Sequence, residues 1–108
     1  IDVVQTWRGE PVVASHRGSR RHAMRPEEWA KRLVDAGAGE IFLQVVDRDG
    51  TMQGYDHELV RKVAQSISVP LVACGGASSI DDLVRVVLED GASGAAAGAL
   101  FVFFGPHR

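Results

Sequence analysis

Cys74 is the only cysteine in this chain. No disulfide framework can form within it, and a reducing cytoplasmic setting is the expectation. Positive charge is not in excess either. Twelve Lys and Arg stand against fourteen Asp and Glu, a formal charge of −2, so general nucleic-acid affinity is not expected. No apolar run approaches the roughly 20 residues of a bilayer-spanning helix. The longest low-charge stretch, Ala92 to Pro106, is short and rich in Gly and Ala. No membrane partner and no signal peptide are expected. His16, His22, His57 and His107 are scattered, and no His/Cys/Asp cluster has metal-ligand spacing, so neither a metal nor a cofactor is expected.

What is present is ordinary globular composition, 45% apolar and 24% charged over 108 residues, enough for one domain with one core. Ile1–Val4 and Pro11–Ser15 are β-prone runs around the turn Arg8-Gly9-Glu10, able to pair as a hairpin or to form a strand end and its loop. A basic loop follows, with Arg17, Arg20, Arg21, His22 and Arg25. Pro26 then stands at a first helical position, Trp29, Ala30, Leu33 and Val34 repeat at helical spacing, and Gly37 is placed as a C-cap. Glu40–Val46 reads as a buried parallel strand covered on both faces. Asp56 can cap a helix with the stripe Leu59, Val60, Val63, Ala64 and Ile67, and His57 beside it reads as solvent-facing.

Val69–Cys74 is the next strand, followed by Gly75-Gly76. Ser79 and Asp82 are placed as a capping box for a helix whose stripe is Ile80, Leu83, Val84, Val87 and Leu88. Ala95–Ala99 reads as a small-residue strand, and Leu100–Phe104 as the start of a fourth helix. The pairs Asp35-Ala36-Gly37-Ala38 and Glu89-Asp90-Gly91-Ala92 mark a helix-to-strand junction two units apart. Strand, loop and helix repeat four times, the rhythm of a (β/α) barrel or of an open doubly wound sheet. A closed barrel needs about 250 residues, so the barrel reading makes this chain about half of one. Both ends read as cuts inside a longer pattern.

Active sites of both folds lie beyond the C-terminal strand ends. Gly75-Gly76 and Gly98-Ala99 sit at such junctions, where exposed N–H groups can receive an oxyanion. Tight packing is the competing reading for each glycine. Asp2, Asp47 and Asp49 also fall near strand ends. There a carboxylate either transfers protons or caps a turn, and Asp47 can pair with Arg48 or cap its loop. Cys74 lines the pocket or, with its pKa lowered by following N–H groups, acts as a nucleophile. The arginines from Arg17 to Arg25 either grip an anionic substrate or form a solvated loop.

Gly39-Glu40-Ile41, the run Asp47-Arg48-Asp49-Gly50-Thr51 with Gly54-Tyr55-Asp56, then Ala73-Cys74-Gly75-Gly76-Ala77 and Ala92 through Phe103 together resemble the C-terminal half of the cyclase subunit of imidazole glycerol phosphate synthase. The resemblance spans essentially the whole chain. It implies strands five to eight of a (β/α)8 barrel, with one of the barrel's two phosphate sites at Gly75, Gly76, Gly98 and Ala99. It places Asp49 and Gly50 against substrate, and makes Asp2 one of two proton-transferring aspartates, the other belonging to a first strand not in this chain. The implied reaction takes ammonia from a glutaminase partner. It converts a phosphoribulosyl-formimino aminoimidazole-carboxamide ribonucleotide into imidazole glycerol phosphate and aminoimidazole-carboxamide ribonucleotide.

Three positions depart from the family pattern. Gln44 replaces a threonine, Cys74 a serine, and Ala97-Gly98-Ala99 an Ala-Ala-Ser ending. Gln44 and Cys74 are pocket-lining candidates. A second branch of the family, linked to amidation of surface-polysaccharide sugars, is the alternative these departures suggest; a non-catalytic half-barrel module is another. Ile41, Leu43, Val45 and Val72 supply apolar groups for both faces of the sheet, and a half-barrel, with helices on one side only, implies an exposed inner face and two open strand edges. The expectation is a homodimer or higher oligomer, with strand five of one copy beside strand eight of the other. Phosphate binding without efficient turnover is expected of the chain alone.

Overall fold

The computed structural model describes residues 1–102. The expected helical residues Phe103 and Phe104, and His107, lie outside the described residues. Strands β1 (Asp2–Gln5), β2 (Pro11–Ser15) and β3 (Arg20–Arg21) precede helix α1 (Pro26–Asp35). Then come β4 (Ile41–Val45), α2 (His57–Ser66), β5 (Leu71–Cys74), α3 (Ile80–Leu88), β6 (Gly94–Ala96) and α4 (Ala99–Val102).

One sheet has the order β3-β2-β1-β4-β5-β6. β1, β4, β5 and β6 are parallel neighbours in chain order. Every crossover therefore moves the same way along the sheet, with no switch point of the kind a doubly wound sheet has. The helices pack on one side. Ala30, Leu59, Val60, Val63, Val86 and Leu100 share a single core with Ile41, Leu43, Val45, Leu71 and Ala73. This is half of a (β/α) barrel.

The helix ends follow local rules. Pro26 opens α1, and Gly37 (φ +109°) closes it. The N–H of Gly37 donates to Val34 and that of Ala38 to Leu33, a left-handed closing turn that glycine adopts without strain. The Asp56 carboxylate accepts from the N–H of Leu59, and the Ser79 hydroxyl from that of Asp82, each relieving an unpaired first-turn donor.

Four expectations are corrected. β4 is covered on one face only: Ile41, Leu43 and Val45 are buried, whereas Phe42 is 44% exposed on the other face. The inner face is therefore fed by Phe42, Gln44, Val72 and Cys74, and the helix-covered face by Ile41, Leu43 and Val45. Second, β1 does not present an open edge: β2 pairs with it antiparallel from Asp2 to Gln5, so the expected strand-five-to-strand-eight contact between copies is blocked there. Third, the last strand is Gly94–Ala96 rather than Ala95–Ala99, because Ala99 already starts α4.

The fourth concerns α3. Of its expected stripe, only Leu83 packs against the core; Ile80, Val84, Val87 and Leu88 are exposed, and the buried positions belong to Asp82 and Val86. The carboxylate of Asp82 turns inward because buried N–H groups wait there for an acceptor.

Candidate functional site

Register builds the floor of the site. Asp2 pairs with Gln44, Gln44 with Cys74, and Cys74 with Ala96. Paired residues of parallel strands face the same way, so these four side chains form one row on the inner face. Asp2 opens β1 rather than ending it, yet it is level with the C-terminal end of β4. The strands are staggered, as they must be in a barrel sheet. Gln44 donates from Nε2 to Oδ2 of Asp49 at 3.2 Å, tying the row to the loop above it.

Above the row lies a shallow recess lined by Asp49, Gly50, Met52, Gly75, Gly76, Ala77, Ala97, Gly98 and Ala99. Asp49, Gly50, Gly75, Gly76, Gly98 and Ala99, separate in sequence, are thus brought together. Among the described residues, no protein group accepts from the N–H groups of Gly76, Ala77 and Gly98. Such donors at a strand-to-helix junction suit an oxyanion.

The two adjacent glycines also answer to packing. A Cβ on Gly75 would stand 2.5 Å from the carbonyl oxygen of Val45, and one on Gly76 2.3 Å from that of Gly54. Both have positive φ. The packing role and the recess-lining position therefore coexist at these residues. At Gly98 a Cβ would meet nothing within 4 Å.

The loop between β4 and α2 is fastened from several sides. Asp47 accepts from the N–H of Gln5 at 2.7 Å. Arg48 does not pair with Asp47. Its Nη1 donates to the carbonyls of Gly54 and Tyr55 at 3.1 and 3.2 Å. The Tyr55 hydroxyl donates to the carbonyl of Ala96 at 2.6 Å, which fixes the strand end leading to Gly98. Burial, with the nearby Cys74 and Asp82, raises the Tyr55 phenol far above its ordinary value. Cys74 is not activated. Burial and the Asp49 charge push its thiol up, outweighing the Gly75 N–H that pulls it down.

A cluster that sequence reasoning missed lies beside this site. His57 is not solvent-facing: its side chain is 13% exposed. Nε2 is 2.6 Å from Oδ1 of Asp82, and Nδ1 faces Oδ2 of Asp90. Asp90 is buried and also accepts from Nη2 of Arg61 at 2.9 Å. The readable signal was Asp90 itself, a carboxylate just after a helix C-terminus, where the dipole disfavours negative charge without a cationic partner. The basic loop stays apart from the recess. There Ser15 Oγ contacts His16 Nδ1 and His22 Nε2 at 3.0 and 2.9 Å, while Arg20 and Arg21 form the exposed β3.

Residues 1–106 match the family described as "Histidine biosynthesis protein". The chain belongs to this family. Among its relatives is "Putative imidazole glycerol phosphate synthase subunit hisF2" of Pseudomonas aeruginosa, 48% identical over 108 residues, all of this chain and 43% of that protein. "Putative imidazole glycerol phosphate synthase subunit HisF" of Leptospira interrogans is 41% identical over 86% of this chain and 37% of its own length. "Imidazole glycerol phosphate synthase subunit HisF" of Limosilactobacillus fermentum is 37% identical over 88% of this chain and 36% of its own length. The chain thus spans less than half the length of each of these relatives. No helix among its described residues is long and apolar enough to cross a membrane.

Proposed function

We propose that this chain is the C-terminal, phosphate-binding half of an ammonia-dependent cyclase of the imidazole glycerol phosphate synthase type. The observation that carries the proposal is that Asp49, Gly50, Gly75, Gly76, Gly98 and Ala99 line one shared recess beside the Asp2–Gln44–Cys74 row. In this reading, the N–H groups of Gly76, Ala77 and Gly98 bind the phosphate of a sugar-phosphate arm. Asp49, oriented by Gln44, contacts the substrate, and Asp2 moves protons during imine formation, cleavage and ring closure. A glutaminase subunit supplies the ammonia to the complete barrel. The segment alone binds phosphate esters without efficient cyclisation, since the second aspartate of the reaction is assigned to a strand outside it.

A second reading, amidation in surface-polysaccharide sugar synthesis, draws on the Gln44–Asp49 bond. A threonine in place of Gln44 would be too short to reach that carboxylate in the same way, so the floor differs where the substrate base or sugar would rest.

Titration with glycerol phosphate, followed by backbone amide NMR, tests the phosphate site. Gly98→Asp adds a carboxylate where a Cβ meets open space, so the fold should survive while affinity falls about tenfold or more, some 1.4 kcal/mol. Equal affinity in the variant would reject the recess as the phosphate site.

A further inference from the structure

We propose that His57 is a positioning residue for the anion-binding recess, acting as a doubly protonated imidazolium that holds Asp82. This rests on the phosphate reading above for the ligand, but not for the geometry. Both ring nitrogens of His57 face carboxylate oxygens, Oδ1 of Asp82 and Oδ2 of Asp90. An ionised carboxylate only accepts. Two such contacts require a proton on each nitrogen; a neutral ring would set a lone pair against a carboxylate. The charge balance agrees. Asp82 and Asp90 are 9% and 1% exposed, and buried carboxylates require cationic partners. Arg61 supplies one positive charge to Asp90, and the imidazolium supplies the other.

Asp82 carries the effect to the recess. While Oδ1 is held by His57, Oδ2 accepts from the N–H of Tyr55 at 3.2 Å and from that of Ser78 at 3.1 Å. Tyr55 follows Gly54, whose N–H donates to the carbonyl of Gly76 at 2.6 Å. Ser78 follows Ala77 on the recess wall. The Ser78 hydroxyl adds a third contact to Oδ2 at 3.3 Å. One carboxylate oxygen therefore pins the two loops that meet at Gly76, and the imidazolium fixes where that carboxylate stands. No contact between His57 and the recess is needed. The Tyr55 ring stands edge-on to the imidazole, with centroids 6.2 Å apart, and leaves the ring little freedom to turn.

The test uses the chain labelled with ¹⁵N. In the unaltered protein, both imidazole nitrogens of His57 should resonate in the protonated range and show couplings to both ring N–H protons. A neutral tautomer at His57 would overturn the proposal. His57→Phe keeps an aromatic ring and removes both donors. Inorganic phosphate should then bind about tenfold more weakly, and the amides of Tyr55 and Ser78 should exchange faster with solvent. Tyr55 and Ser78 protected as in the unaltered chain would also overturn it. Should His57→Phe not fold, Asp90→Asn serves: with one carboxylate neutralised, His57 should give up a proton and show one bare nitrogen, and retention of both protons contradicts the charge argument. If the unaltered chain fails to bind phosphate, the phosphate reading falls, while the imidazole spectrum and the two amides still judge the role of His57.

Discussion

The N–H of Gly54 donates to the carbonyl of Gly76 at 2.6 Å, and the Gly54 carbonyl lies where a Cβ of residue 76 would be. Two loops thus approach backbone to backbone, and residue 76 has φ +104°. Gly76→Ala should cost on the order of 3 kcal/mol or more, combining left-handed strain with a clash against backbone that cannot move aside. Gly98→Ala, with open space around its Cβ, should stay within about 0.5 kcal/mol. Urea unfolding of the two variants measures the contrast; equal losses would contradict the close approach.

Cys74 should react slowly with a thiol-alkylating reagent at neutral pH. Burial first and the Asp49 carboxylate second hold its proton on, and only the thiolate is nucleophilic. The rate should rise with a midpoint above the ordinary thiol value. Asp49→Asn should shift that midpoint down, though not below the ordinary value, because burial remains. A midpoint unchanged by the substitution would place the carboxylate too far away to act.

Stability should decline on the alkaline side. Tyr55 and Cys74 both have folded-state values raised above their unfolded ones. The native state then binds more protons than the unfolded chain once pH exceeds the unfolded values, and unfolding free energy falls as pH rises further. Below those values the contribution is complete. Tyr55→Phe should flatten this slope above about pH 10. It should also cost roughly 1 kcal/mol at neutral pH, from the lost hydrogen bond to Ala96. Unfolding curves across neutral and alkaline pH test both effects.

Asp2 is the residue proposed to transfer protons; it is level with Gln44 on the neighbouring strand and two strands from Cys74. In a complete barrel containing this segment, Asp2→Asn keeps the shape and removes the titrating group. Cyclase turnover should drop roughly 10²–10⁴-fold with little change in the affinity for phosphate esters. A rate within about threefold of the unaltered barrel would remove Asp2 from the proton chemistry, since so small a change lies outside the range for a general acid or base.

Helix starts at Pro26, Asp56 and Ser79, and the glycine stop at Gly37, were legible residue by residue. Caps and left-handed stops depend on a few neighbours along the chain. The parallel order of the strands was legible too, because apolar runs alternating with helical stripes leave few ways to cover a sheet. Which face of α3 turns inward was not. Apolar residues lie all round it, with Val86 inward and Ile80, Val84, Val87 and Leu88 outward, and Asp82 took an inward place because the N–H groups of Tyr55 and Ser78 required an acceptor. His57 looked like a surface residue for the same reason. Its partners Asp82 and Asp90 lie 25 and 33 positions away; the place of Asp90 after a helix end called for a cation, but nothing along the chain said which residue supplies it. The row Asp2–Gln44–Cys74 likewise depends on strand stagger, which follows from the sheet's closing curvature and not from spacing along the chain.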